Sequence, residues 1–394
     1  MNFRLTMLTA AAMATVGAAN AQNSVSVYGA LDAGVLNLST TSSGAGYIPN
    51  ATDKGSFTGL KDGGIGGSNI GIKGTRDMGN GNSAYFQLQG NINLKDGVTG
   101  GTTATGASAN FNQMALVGLS GKAGDLKVGR QVSPMYYAMA STDARGARYF
   151  GSTLTTLVGM NSASGVWAAN NNSMFGTVYN DNSLVYTAPV FANTTVTFQH
   201  AFGNTAGSSG ANSQDAVTAV YRNGGLRLSG LYYNGKGNGY LTATSAAGAA
   251  PAKALGFTET ANTNRLTSFG ALYTTGPWTM SYAMFEGKNP AGAKLPGGST
   301  NLTANAFGLA YKVSADLTVS GGYYTLKDKT NAGNKASQTA ISLDYTLFKD
   351  TTVYFQTAST TNKGANMNLS PIYASVPAAN KNNSATMIGV RYTF

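Results

Sequence analysis

Few side chains in this sequence are equipped for covalent chemistry. His200 is the only histidine and there is no cysteine, which excludes thiolate metal sites, disulfides and a cysteine nucleophile. His200 lies in Thr197-Phe198-Gln199-His200-Ala201-Phe202. As a general base it would need a hydroxyl nucleophile and an orienting partner; a hydrolase built on it is the one enzymatic alternative. No G-x-S-x-G, phosphate loop or G-x-G-x-x-G occurs, and Gly121-Lys122 is followed by Ala123 rather than Ser or Thr. The aspartates stand singly, without calcium-loop spacing. The expectation is therefore a non-enzyme with no metal and no cofactor.

What remains is charge. Twenty-six Lys and Arg against fifteen Asp and Glu give a net +11. The basic residues are scattered, with no cluster and no basic helix, which argues against nucleic acid and for a passage biased toward anions. Charged residues make up only 10% of the chain, where about 25% is usual, so much of the surface is expected not to face water. Glu259 and Glu286 are the only glutamates; helix-rich domains use Glu freely, so the scarcity points to strands.

The elements that position these charges are read from alternation, the period-2 signature of strands with unlike faces. Val25, Val27, Leu31 and Val35 share one face while Ser26, Tyr28, Ala30 and Asp32 share the other. Sixteen strands are expected: 24–38, 65–76, 82–94, 111–120, 124–131, 181–187, 194–202, 214–223, 225–234, 265–275, 277–286, 303–313, 316–326, 337–347, 351–359 and 385–394. Tight turns such as Asn223-Gly224 and Phe348-Lys349-Asp350 join alternate pairs. Long polar loops (39–64, 95–110, 203–213, 235–264, 287–302, 327–336, 360–384) join the others. Loops sorted by length in this way are the organisation of an all-β, transmembrane antiparallel barrel, and sixteen strands leave a water-filled lumen. About fifty residues separate the fifth and sixth strands, with a short helix expected over Ser133 to Ala140. This third loop is too apolar to stand in water and is expected to fold into the lumen. Ahead of the barrel, Met1 to Arg4, the apolar run Leu5 to Ala19 and Ala19-Asn20-Ala21 read as a signal peptide over 1–21, leaving one domain over 22–394.

By alternation Lys127, Arg227, Arg391, Asp32 and Asp344 point into the lumen, where a charge is solvated; on the lipid face a Lys or Arg costs about 2–4 kcal/mol at midplane. Arg130 stands where the fifth strand enters the third loop, which itself carries Asp143, Arg145 and Arg148. Tyr392, Phe394, Tyr311, Tyr345, Phe348, Trp278, Tyr282 and Phe191 suit aromatic girdles at the two interfaces. Tyr136, Tyr137, Tyr149 and Phe150 on the third loop are candidates for contact with solutes.

The motifs Ser24-Val25-Ser26-Val27-Tyr28-Gly29-Ala30-Leu31-Asp32-Ala33-Gly34, Asn69-Ile70-Gly71-Ile72-Lys73-Gly74-Thr75-Arg76-Asp77, Leu126-Lys127-Val128-Gly129-Arg130-Gln131 and Gly389-Val390-Arg391-Tyr392-Thr393-Phe394 together resemble, along the whole chain, the trimeric general porins of Gram-negative outer membranes, particularly the beta-proteobacterial type. The resemblance implies a homotrimer in outer-membrane lipid, a constricting third loop, passive diffusion of ions and small hydrophilic solutes, and a terminal Phe394 read by the barrel-assembly machinery. The family's eyelet sets basic wall residues against an acidic loop. Here Asn69 and Gln113 stand where wall arginines are usual, Gln89 replaces a glutamate and Tyr179 takes another arginine position. Arg145 and Arg148 are then expected to carry the charge at the constriction, with weak anion preference. A solute-specific channel is the alternative within transport, and a barrel-anchored hydrolase the alternative outside it.

Overall fold

The computed structural model describes residues 23–41, 53–102, 108–163, 175–204, 206–236, 263–288, 299–364, 367–373 and 381–394. The signal-peptide expectation and the middle of the 235–264 loop lie outside these residues. The wall is one antiparallel sheet closed on itself. β1 (Asn23–Leu38) pairs along its lower half with β3 (Asn69–Gly79) and along its upper half with β2 (Phe57–Asp62). These two segments occupy one wall position, so the seventeen-stranded sheet forms a sixteen-position barrel. β4 (Asn82–Asn91), β7 (Met114–Gly121), β8 (Gly124–Val132), β9 (Tyr179–Thr187) and β10 (Thr194–Ala201) follow in order. β11 (Gln214–Asn223), β12 (Leu226–Lys236), β13 (Thr263–Thr275), β14 (Trp278–Lys288) and β15 (Asn301–Lys312) continue the wall. β16 (Leu317–Asp328), β17 (Lys335–Phe348), β18 (Thr351–Lys363) and β19 (Asn383–Thr393) complete it, and β19 pairs with β1. A two-residue hairpin, β5 (Gly101–Thr102) and β6 (Ser108–Ala109), decorates the loop after β4.

Connections alternate between tight turns and long loops, as expected. The β3–β4 turn is Asn80-Gly81 with φ of 55° and 77°, the paired positive values that a two-residue hairpin needs. One strand expectation is corrected: the second strand is not continuous over 65–76. Residues 63–68 leave the wall, and pairing with β1 resumes only at Asn69. The Gly63-Gly64-Ile65-Gly66-Gly67 run supplies the backbone freedom for that detour.

The outer face is a band of exposed apolar side chains, including Val25, Val117, Phe269, Phe307, Ile341 and Ile388. The inner face is buried where the third loop, residues 63–68 and residues 367–373 cover it. The third loop carries α1 (Pro134–Ser141) and α2 (Thr153–Ala163). α1 starts where Ser133-Pro134 predicts, with Ser133 Oγ accepting from Met135 N at 3.3 Å. α2 was not apparent in the sequence: all eleven of its residues are buried, so no polar stripe marks a helical period. Leu157 and Met160 of α2, with Met135 and Met139 of α1, join Phe285, Leu302, Tyr324 and Leu326 of the wall in one apolar cluster. Met367 and Leu369, from the loop after β18, belong to the same cluster. One side of the lumen is thereby filled, and water is left a passage beside β1 to β9.

Candidate functional site: the lumen constriction

Two close approaches fasten the third loop to the wall. Thr142 Oγ1 lies 2.8 Å from Ser229 Oγ on β12, and Ala144 N donates to Ser281 Oγ on β14 at 2.9 Å. Glycines on the inner face make room: a Cβ on Gly270 would stand 2.1 Å from Thr142 Oγ1, and one on Gly308 would stand 3.1 Å from Ala144 Cβ. Arg145 completes the tether. Its guanidinium donates to the carbonyls of Gly151 (2.7 Å), Phe150 (2.8 Å) and Ser320 (3.1 Å) and to the hydroxyls of Ser320 (3.1 Å) and Ser342 (2.9 Å). Burial pushes its pKa down to about 10, so it remains charged at neutral pH. Arg148 forms a two-pronged pair with Asp344 of β17, at 2.7 and 3.1 Å. Asp143 accepts from the amides of Arg145, Ala147 and Thr153 and from the Thr153 hydroxyl.

These loop charges therefore hold the loop; they do not face the opening. Arg145 is 2% exposed, so the expectation that it charges the constriction gives way to a structural role. Arg148 is half-spent in the same sense, its side chain 12% exposed against Asp344.

The passage itself has a volume of about 620 Å³. Its wall side presents the amides of Asn69, Gln89, Asn91 and Gln113, with Lys61 and Arg391 as cations and Asp62 as a carboxylate. Gln113 bonds both Gln89 and Asn91, and Tyr28 donates to Gln89 Oε1 at 2.8 Å. The loop side presents Tyr136, Ala147 and Tyr149, flanked by Tyr179 and Tyr373. No acidic loop opposes the basic wall, because Asp143 is consumed inside the loop.

Asp32 lies directly behind this passage with no exposed surface. It accepts from the amides of Gly64, Ile65 and Gly66, from the Tyr354 hydroxyl at 2.7 Å and from Arg391 Nη1 at 3.2 Å. The carboxylate thus pins the detour of residues 63–68 inward and partly neutralises Arg391. Arg130 sits in a β-bulge of β8, paired with Asp181, donating to Asn112 O at 2.6 Å and lying 5.7 Å from the Tyr179 ring centre. Of the nine residues expected at the constriction, Asn69, Gln113 and Arg391 line this passage. Asp32, Arg130, Asp143, Arg145 and Arg148 brace it, and Lys127 lines a smaller cavity of about 190 Å³ below α1.

Lower down, Lys127 and Arg227 point into the lumen as alternation predicts, and they are joined there by Arg222, which the sequence reading did not single out. Arg222 and Arg227 are register partners on β11 and β12. They share strand parity with the buried, inward-facing Thr218 and Ser229. Lys127 and Arg222 line one cavity; Lys127 is 3.2 Å from Asp125, and Lys73 lies 5.1 Å from the Tyr28 ring centre. The lumen near the short turns is thus predominantly basic. The signal was present in alternation, but Arg222 stands at a strand end where parity alone is weak.

His200 is bonded through Nδ1 to Asp215 Oδ1 at 2.8 Å. Its register partner Leu184 and its neighbour Phe198 are exposed, which places the pair on the outer face. No hydroxyl nucleophile is bonded to it, and no metal-binding group of His, Asp or Glu occurs, among the described residues.

The profile of the Gram-negative porin family matches residues 8–365. The chain is 26% identical over 399 residues to outer membrane porin protein 32 of Delftia acidovorans, covering 98% of this chain and 99% of that protein. It is 30% identical over 216 residues to an outer membrane porin protein of Bordetella pertussis, covering 54% of this chain and 49% of that protein. Among solved structures, the anion-selective porin from Comamonas acidovorans superposes with a TM-score of 0.70 at 23% identity, covering 94% of this chain and all of that one. The trimer form of OmpT from Vibrio cholerae gives 0.62 at 15% identity, covering 94% and 99%. A closed sixteen-position barrel, a lumen narrowed by its third loop and this family match agree: the chain belongs to the Gram-negative porin family, whose members are channels of the outer membrane rather than enzymes.

Proposed function

We propose that this porin is a homotrimer in which each barrel passes small hydrophilic solutes with a weak preference for anions, and that it reaches the outer membrane after loss of residues 1–21, leaving 22–394 as its single domain. The observation that carries the anion preference is the basic lower lumen, where Arg222 and Arg227 face each other across adjacent strands. Like charges directly opposite destabilise a sheet, and here the pair faces water and mobile anions that screen it. At the passage the two cations Lys61 and Arg391 outnumber the one carboxylate, Asp62, and no acidic loop opposes them, which acts in the same direction.

Single-channel recording in a planar bilayer under a salt gradient tests both parts. Openings in groups of three and a reversal potential on the anion side are expected. Replacing Arg222 and Arg227 by Gln should move that potential toward zero; a cation-side potential in the wild type would overturn the reading. The four tyrosines at the passage favour a second reading, recognition of one solute by stacking, for which saturable block of conductance is the discriminating result. Phe394, whose N–H and C=O both bond to Gly29 at 3.1 and 3.0 Å, is the proposed mark for the barrel-assembly machinery. Phe394→Ala should lower the amount of assembled barrel.

A further inference from the structure

The inner wall below α1 carries side chains that a water-filled passage does not need. The interior of an outer-membrane barrel is polar, yet Leu116 of β7, Val185 of β9 and Val220 of β11 line the lumen cavity of about 190 Å³ that also holds Lys127 and Arg222. All three are buried, at 7%, 4% and 8% exposure. Pro134 and Ala138 of α1 border the same cavity. Side chains that served only as a bed for the helix would be packed as closely as a protein interior, with no void of this size between them. A recess with an apolar lining remains instead.

Polar groups are added to that lining in a definite order. Thr187, Thr197 and Thr218 are successive register partners on β9, β10 and β11, and the Thr197 hydroxyl donates to Thr187 Oγ1 at 3.3 Å. Cations stand on either side of this hydroxyl row. Lys127 on β8 is the register partner of Val185 and lies 3.2 Å from Asp125. Arg222 follows Val220 by two residues on β11 and has a second cation, Arg227, as its register partner. Asp125 thus offsets Lys127, while the arginine side keeps its charge for an occupant. Tyr137 of α1 also borders the recess with 56% of its surface exposed, so its ring is open to whatever enters.

We infer that this recess is a binding site for a small aromatic carboxylate of the benzoate class: the ring lies on Leu116, Val185 and Val220 beside Tyr137, and the carboxylate turns to Arg222 and the threonine hydroxyls. Size selects a single ring, since an apolar cavity of about 150 Å³ takes up benzene and the remaining space receives the carboxylate. Rigidity selects a ring over an alkyl chain of similar bulk, because a ring has no internal rotations to lose on binding. Charge selects an acid, which a guanidinium meets through two parallel hydrogen bonds. The inference rests on the lumen being open to water and not on the bulk ion preference. A general bias toward anions needs the cations alone, whereas the apolar lining distinguishes one anion from another.

The test is calorimetric titration of the folded full-length protein in detergent with benzoate, with acetate, which lacks the ring, and with benzamide, which lacks the charge. Benzoate should bind saturably and on the order of tenfold more tightly than either, and should reduce single-channel current over the same concentration range. Val185→Thr with Val220→Thr keeps side-chain shape and charge but makes the lining polar. This double variant should weaken benzoate binding by roughly fivefold or more and leave the reversal potential in a chloride gradient at the wild-type value. Arg222→Gln should weaken benzoate and leave benzamide unchanged. Acetate or benzamide binding as tightly as benzoate, or wild-type benzoate affinity in the valine double variant, overturns the inference. The two readings fail separately: an anion-side potential without saturable benzoate binding sinks only the recess, and a cation-side potential with saturable benzoate binding sinks only the ion preference.

Discussion

Arg145 and Asp32 carry opposite charges, yet both are buried and both organise backbone beside the passage. Arg145 donates five hydrogen bonds to two wall serines and to its own loop. Removing one partner from a buried charged bond strands the others, at about 1–3 kcal/mol for each group left unsatisfied. Arg145→Ala should therefore lower the unfolding midpoint of the barrel and make single-channel current noisier as the loop loosens. Its reversal potential should stay at the wild-type value, because the guanidinium does not reach the passage; a clear shift toward zero would show that Arg145 does face the ion path. Asp32→Asn should act the other way. The neutral amide no longer offsets Arg391, so the reversal potential should move further to the anion side. Its NH₂ cannot accept from the Ile65 and Gly66 amides that now bond Oδ2, so a modest loss of stability should accompany the shift. An unchanged potential in a folded Asp32→Asn barrel would show that Arg391 is not part of the selecting field.

The third loop acts as an element only because the wall is shaped to receive it. Thr142 of the loop and Ser229 of β12 approach to 2.8 Å between hydroxyls, compatible with the side-chain separation a disulfide spans, and the chain has no cysteine of its own. Thr142→Cys with Ser229→Cys should form a disulfide on oxidation and leave mean conductance unchanged, if the loop is docked while the channel is open. A conductance that changes on oxidation and returns on reduction would mean that the open state needs the loop elsewhere. The wall strands were legible because each keeps one face apolar and one polar; β11, for example, spans 214–223 in both readings. Two features were not. The break after Asp62 has a visible cause in its glycine run, but the competing pull of Asp32 comes from another strand. α2 is buried on all sides, between the wall and residues 367–373, so its sequence has no amphipathic period to read. The role of Arg145 was hidden for a related reason: its wall partners are 175 and 197 residues away, and no local pattern reports them.

Taken around its circumference, the barrel has two unlike outer surfaces. From β1 to β8 the outward positions are aliphatic or small, among them Val25, Val27, Val35, Val117, Leu119 and Val128, and Phe86 is the single outward-facing aromatic of the wall strands there. From β9 to β19 aromatics recur, with Trp278 tilted against Tyr311 at 4.4 Å between ring centres, Tyr282 against Phe307 at 4.9 Å and Tyr392 stacked beside Phe394 at 6.0 Å. Aromatic side chains belong where a barrel meets the lipid interfaces. The aliphatic arc is then the face that neighbouring subunits cover in the proposed trimer, an interface of small, closely fitting side chains. Val117 and Ile341 are each near the middle of a strand on opposite arcs, so a matched pair of substitutions separates the two environments. Ile341→Arg should leave the trimer intact while lowering stability by about 2–4 kcal/mol, the cost of an arginine facing lipid at midplane. Val117→Arg should bury three guanidinium groups without partners at the subunit contacts, which is strongly unfavourable, and should yield monomers in light scattering and single rather than threefold openings in bilayers. If both variants remain trimeric with the same loss of stability, β1 to β8 face lipid and the subunit contact lies elsewhere on the wall.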